Sequence, residues 1–172
     1  MGQVILYIAM SIDVYIADDN DSIDWLTPFD GLDYGYEPLL AQTSSVIVGR
    51  STYDTAKSFP EWPYPKHHTY VVTRHPETFT ETDNPPVSFH NVDDVVKAVR
   101  DAEADSWLVG GGQVIAEFLT RKAIDVMRIF VMPLTLGDGV RLFSPAANIS
   151  HFKTARPKLY ENGVVELIYR TN

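Results

Sequence analysis

The chain has 172 residues, 45% hydrophobic and 12% aromatic, with no cysteine and a formal charge of −9 from 14 basic and 23 acidic side chains. This length supports one sizeable core, and the composition is that of an ordinary globular chain. Missing cysteines exclude disulfides, thiolate nucleophiles and cysteine metal sites, and an acidic balance with no basic cluster argues against nucleic acid as a partner.

The N-terminal apolar run to Met10 is far too short to cross a bilayer and lacks a basic n-region and a small-residue cleavage site. A cytoplasmic protein with no membrane partner is expected. Val4–Ile8 reads as a buried strand ending at Ser11-Ile12-Asp13, followed by a long polar loop from Asp18 to Gly31 that carries Trp25. Loops this long inside a compact domain are commonly functional. Tyr36 to Gln42 reads as a helix, with Pro38 tolerated in its first turn.

Ser45–Val48 is a second strand, closed by Gly49, with a short helix starting near Ser51-Thr52. After a Pro- and aromatic-rich connection from Phe59 to Pro65 come strands at Thr69–Val72 and Val87–Phe89. Val92, Val95, Val96 and Val99 form a helical stripe capped by Asn91 or Asp93. Trp107–Val109 is a strand, Val114, Ile115, Phe118 and Leu119 mark a helix, and Met127–Met132 is another strand. Phe152–Leu159 and Val164–Tyr169 flank Asn162-Gly163, a two-residue hairpin signal.

This alternation predicts a three-layer α/β fold: a mainly parallel central sheet, helices on both faces, and a C-terminal antiparallel hairpin. With no linker-like stretch or internal repeat, residues 1–172 are expected to form one domain.

Ligands of open parallel sheets bind at the carboxyl ends of the strands. The strand Trp107–Val109 runs into Gly110-Gly111-Gly112 and directly into a helix through Gln113 and Val114. Backbone N–H groups at such a turn, with the helix N-terminus behind them, make an anion site; a tight turn alone would normally need one or two glycines. Gly49-Arg50-Ser51-Thr52 repeats the pattern, with a forked cation and two hydroxyls, or else it is plain helix capping. Thr73-Arg74 follows a third strand and could clamp a 2′-phosphate, or form a surface turn before Pro76. In so acidic a chain, a dinucleotide would depend on such local cations and helix ends.

Ile8-Ala9-Met10-Ser11-Ile12-Asp13, Val48-Gly49-Arg50-Ser51-Thr52-Tyr53, Val71-Val72-Thr73-Arg74 and Gly110-Gly111-Gly112-Gln113-Val114 stand in the order and spacing of the dihydrofolate reductase superfamily. With Pro133-Leu134-Thr135-Leu136-Gly137-Asp138-Gly139 and Leu142-Phe143, the whole chain resembles most closely the branch typified by the C-terminal reductase domain of bacterial riboflavin biosynthesis. The resemblance implies a commonly homodimeric, NADPH-dependent reductase that transfers a hydride to a pyrimidine or pterin-like heterocycle. It implies cofactor phosphates held by Gly49, Arg50, Ser51 and Thr52 on one side and by Gly111, Gly112, Gln113 and Val114 on the other. Thr73 and Arg74 would meet the 2′-phosphate, while Ala9 and Ile16 would border the nicotinamide.

Val14 stands where this branch usually has glycine, and a β-branched residue resists positive φ, so a stiffer or differently shaped first loop is expected. Asp13 is a candidate catalytic residue that orients substrate, or it caps a turn. Folate reductases grip the pteridine ring with a buried carboxylate on the first helix; Asp33, sixteen residues before Gly49, is the candidate here. Glu37 competes with it, unless both are simply solvated acids of an acidic chain, the reading that the rarity of unpaired buried acids favours. The aromatic rings of Trp25, Trp62 and Tyr64 could stack on a heterocycle or cover the core. The histidines lack metal-ligand spacing, no metal is expected, and no hydrolase motif is present. Two alternatives to the riboflavin-type reductase are a dihydrofolate reductase and a dinucleotide-binding protein without turnover.

Overall fold

The computed structural model describes residues 1–143, 151–154 and 157–171. Six β-rich segments become mutually parallel strands: β1 (Val4–Ser11), β3 (Thr43–Gly49), β4 (His68–Val72), β6 (Pro86–His90), β7 (Asp105–Gly110) and β8 (Val126–Met132). Between them lie four helices: α1 (Tyr36–Gln42), α2 (Arg50–Lys57), α3 (Val92–Asp101) and α4 (Gly112–Thr120). The cap of α3 is Asn91, whose side chain accepts the Asp94 N–H.

The smaller strands are β2 (Tyr15–Ala17), β5 (Thr82–Asp83), β9 (Val140–Arg141), β10 (Lys153–Thr154), β11 (Lys158–Leu159) and β12 (Val165–Arg170). The main sheet runs β10-β12-β8-β1-β7-β3-β4-β6-β5, with β11 also paired to β12. Both edges are antiparallel, because β5 folds back on β6 and β12 runs against β8.

Side-chain alternation sends successive β1 residues to opposite faces. Val4 and Leu6 join Val95, Val99, Ile115 and Phe118 of α3 and α4 in one core. Ile5 joins Leu39 of α1 and Ala56 of α2 in the other. These are the three layers the sequence predicts. The first chain connection carries α1 past β7 to β3, whereas α4 carries the chain back from β7 past β1 to β8. The direction of winding therefore reverses beside β1, and at such a switch point the crevice that takes ligands is expected at the strand ends.

The structure departs from or adds to the sequence expectations in several places. The Asp18–Gly31 loop contains a 3-10 helix at Asp24–Phe29. A second sheet, β2 against β9, ties the first loop to a late one. The C-terminal hairpin turns through three residues, not two: Tyr160 and Val164 bond across it, Gly163 N–H donates to Tyr160 C=O, and Gly163 takes φ +85°. A type I turn followed by a left-handed glycine satisfies the same Asn-Gly pair with one more residue. The expected strand Phe152–Leu159 is represented by β10 and β11, and Ala155 and Arg156 between them lie outside the described residues.

Candidate active site

The ends of β3 and β7 lie side by side, with Val48 opposite Gly110, so Gly49 and Gly111 cap the starts of α2 and α4 as neighbours. Neither helix has a side-chain cap or an acid in its first turn. By contrast α1 begins with Glu37, and α3 carries Asp93 and Asp94 behind its Asn91 cap. Acids near a helix N-terminus stabilise it. In this acidic chain they are kept from just the two N-termini that meet at the crevice.

The three glycines of the turn serve different ends. Gly110 has φ +127°, a backbone conformation that side chains rarely adopt. At Gly112 a Cβ would lie 2.6 Å from the Arg141 carbonyl oxygen of β9, so that close approach demands glycine. Gly111 has φ −80°, and a Cβ there would meet only the Thr52 hydroxyl at 3.5 Å. Packing therefore leaves open room over Gly111. Gly49 is needed for a different contact, since its Cβ would lie 2.9 Å from Val114 of α4. Ser51 and Gln113 are exposed and Thr52 is half-buried, whereas Val114 is buried in the core beneath.

Arg50 opens α2, donates through Nε to Asp54 at 2.8 Å, and lies over the Phe79 ring at 4.2 Å. Thr73 continues from β4, bonded to His90 C=O, and its hydroxyl accepts the His75 N–H. Arg74 is exposed and makes no ion pair among the described residues.

On the other side of the crevice, half-buried Ala9 packs among Phe130, Met132 and Leu134, and Ile16 of β2 packs on the α3/α4 side. Asp13 is fully engaged: its carboxylate accepts the Ser11 hydroxyl at 2.6 Å, Leu136 N–H at 3.1 Å and Gly137 N–H at 2.7 Å. The Ser11 hydroxyl, then the two backbone donors, hold its carboxyl down at about 2. Next to it Val14 adopts φ +69°, the glycine-like conformation that its branching disfavours. Val14 thus takes positive φ despite its branching, in a turn closed by Val14 N–H to Ser11 C=O, and Val14 C=O accepts Leu142 N–H.

Asp33 lies near enough to Tyr7 for its charge to act on the phenol, but it is not a buried carboxylate. It is exposed and caps the following turn through Gly35 N–H at 2.7 Å. Glu37 is exposed as well. The residue that turns inward is Tyr34, which sequence reasoning missed because no local signal separates it from Asp33. Tyr34 C=O accepts from Tyr7 and Arg128, and its hydroxyl donates to Phe29 C=O and accepts from Asn162. Behind it Glu166, 2% exposed, is bonded to Arg128 at 2.6 Å and to the Tyr160 hydroxyl at 2.9 Å. Burial pushes the Tyr7 hydroxyl up to about 12, and burial with the Glu166 carboxylate raises that of Tyr160. This half of the crevice is aromatic, and its carboxylates are spent on structural partners.

A family model, the RibD C-terminal domain, matches residues 3–166. The chain belongs to this family. A relative, the uncharacterized protein YwjB of Bacillus subtilis (strain 168), is 32% identical, with 94% of each chain covered. A solved structure of a putative riboflavin biosynthesis protein from Shewanella sp. PV-4 superposes with a TM-score of 0.84 at 27% identity, covering 99% of both chains. The fold is that of dihydrofolate reductase: the Enterococcus faecalis enzyme, solved with NADP(H), superposes with a TM-score of 0.70 at 17% identity over 99% of this chain and 96% of that one.

In this member of the RibD C-terminal family the other sequence candidates take structural places. His67 is buried against the Thr43 hydroxyl and Leu40 C=O, whereas His68 faces Ser88 at 2.7 Å, so the adjacent pair points to opposite faces. Trp62 and Tyr64 belong to the α1/α2-side core, and Trp25 packs in the cluster around Phe130. Among the described residues no cluster of His, Asp or Glu could hold a metal, and no helix is long and apolar enough to cross a membrane.

Proposed function

We propose that this domain is an NADPH-dependent reductase of the riboflavin-pathway type, acting on a pyrimidine or related heterocycle. The observation that carries the reading is the pair of adjoining helix N-termini, uncapped and free of acids, at the ends of β3 and β7. Oriented N–H groups with partial positive charge suit a pyrophosphate, and the open room over Gly111 gives its backbone a clear approach. The residues thus fit the cofactor on physical grounds, and family membership agrees with it.

Gly111, Gly112, Gln113 and Val114 would hold the phosphates from α4, and Gly49, Arg50, Ser51 and Thr52 from α2. Thr73 and the exposed Arg74 would meet the 2′-phosphate. When bound, NADPH supplies the hydride. Ala9 and Ile16 would flank the nicotinamide, and the first loop would exclude water from it. Asp13 serves as a positioning residue that fastens the first loop.

The dihydrofolate reductase alternative needs a buried carboxylate that Asp33, exposed and bonded to Gly35, does not supply. The alternative without turnover drew its case from Val14 and from the uncertain acid; Val14 takes a positive φ, while Asp33 and Glu37 are both exposed.

Titration calorimetry of the wild type and Gly111→Ala with NADPH and NADH tests the cofactor site. Wild-type binding that prefers NADPH and disappears in a folded Gly111→Ala protein is expected; retained binding in the variant would sink the phosphate-turn assignment. Following NADPH absorbance across aminopyrimidines and pterins then tests the reaction. Oxidation with dihydrofolate alone would replace the substrate class, and none with any heterocycle would remove the reductase reading.

A further inference from the structure

The strongest unexplained arrangement is the one around Arg50. A solvent-facing arginine has roughly 2 kcal/mol of rotamer entropy to lose on gripping a ligand. Here much of that freedom is already gone. Nε donates to Asp54, one helical turn along α2, at 2.8 Å, which fixes the rotation of the guanidinium. Its central carbon lies over the Phe79 ring, 4.2 Å from the centroid and within cation–π range. Phe79 is itself stacked on Phe89 of β6, with ring centroids 4.7 Å apart and planes 18° apart. Phe89 is 6% exposed, so the stack stands on the core.

The chain spends a specific turn to put Phe79 there. After Thr73-Arg74, residues Pro76–Thr78 wind into a 3-10 helix closed by Thr78 N–H and its hydroxyl on His75 C=O, and by Phe79 N–H on Pro76 C=O. The segment that leaves β4 with Arg74 thus returns to support the arginine that opens α2. The bland alternative is an ordinary i,i+4 surface pair, worth only ~0.3–0.5 kcal/mol. That alternative does not account for the ring beneath. Nor does it account for the bonding pattern: among the described residues only Nε of Arg50 is hydrogen-bonded within the protein. The two terminal nitrogens are the pair that grips a phosphate bidentately.

We propose that Phe79 is a positioning residue for the phosphates of the dinucleotide's adenosine half, acting through Arg50. This rests on the NADPH reading above. The Phe89–Phe79 stack and Asp54 hold the guanidinium in place before the ligand arrives, with its fork toward solvent. Phe79 itself need not touch the ligand.

A double-mutant cycle tests this by calorimetry on wild type, Arg50→Ala, Phe79→Ala, Phe79→Tyr and the double alanine variant. The probes are NADPH, adenosine 2′,5′-bisphosphate and reduced nicotinamide mononucleotide. Phe79→Leu, which keeps apolar volume without a π face, stands in if the alanine variant fails to fold, and melting curves report folding. Phe79→Ala is expected to weaken NADPH and the bisphosphate by about tenfold, with the mononucleotide nearly unaffected. Phe79→Tyr should restore binding, and the double variant should bind no worse than Arg50→Ala, since the two residues act as one unit. Additive losses, or wild-type affinity in Phe79→Ala and Phe79→Leu while Arg50→Ala is weakened, would overturn the proposal and leave the cofactor reading standing. A wild type that binds neither NADPH nor the bisphosphate would overturn both.

Discussion

Gly137 donates its backbone N–H to the Asp13 carboxylate at 2.7 Å, fastening the end of β1 to the loop that follows β8. The Ser11 hydroxyl and Leu136 N–H complete the arrangement. Beside the β2–β9 pairing and the Val14–Leu142 bond, one carboxylate thus gathers three donors that fasten the first loop.

The pH dependence follows from the sign of that carboxyl's shift. Its folded pKa, about 2, lies below the ordinary 3.8, so the stabilisation is fully present above the unfolded value and is lost as pH falls toward the folded one. The melting-temperature difference between wild type and Asp13→Asn should be constant at neutral pH and shrink between about 4 and about 2. A difference that changes between pH 6 and 8 would contradict the assignment.

Val14→Gly should be close to neutral for stability. Positive φ costs a non-glycine residue ~1–2 kcal/mol, and glycine's greater unfolded-state entropy offsets roughly 0.5–1 kcal/mol of the relief. Val14 is only half-buried, so little packing is lost. A loss of ~2 kcal/mol or more in denaturant titration would mean that the side chain matters more than the backbone.

Glycines 111 and 112 should respond differently to alanine. Gly112→Ala drives a methyl toward the Arg141 carbonyl and should lower the melting temperature, whereas Gly111→Ala meets no backbone and should fold normally without binding NADPH. Equal destabilisation of both would remove the distinction between a packing glycine and a ligand glycine.

Arg74→Ala should weaken NADPH by about tenfold and NADH far less, as expected if the guanidinium meets only the 2′-phosphate. Equal losses in parallel titrations would move Arg74 away from that phosphate.

Glu166→Ala strands Arg128, 23% exposed, without its carboxylate and leaves the buried Tyr160 hydroxyl unpaired. Breaking such a pair from one side costs about 3–5 kcal/mol. Urea unfolding that shows less than ~1 kcal/mol would place the network in solvent.

The sequence made the strand–helix alternation legible because buried parallel strands are short apolar runs ending in turn residues, and α1 is found over the very residues expected, Tyr36 to Gln42. What escaped was pairing between distant short segments. Tyr15–Ala17 and Val140–Arg141 are too brief to carry a periodic signal, and each becomes a strand only against the other. Counting residues back from Gly49 selects Asp33, but counting cannot tell which neighbour turns inward. Tyr34 does so because its carbonyl and hydroxyl find four partners there. The glycine turn was visible as a pattern, whereas the division of labour within it depends on β9, which arrives from elsewhere in the chain.

The sheet order also has a temporal consequence. β1 is made first, yet both of its neighbours, β7 and β8, are made late, with Leu6 opposite Leu108 on one side and Met127 on the other. During synthesis the strand at the centre of the crevice must wait, with two open edges, until more than half of the chain has followed. Such long-range closure is slow and exposes unpaired strand to aggregation. Pulse-labelling hydrogen exchange during refolding should find β3, β4 and β6 protected before β1.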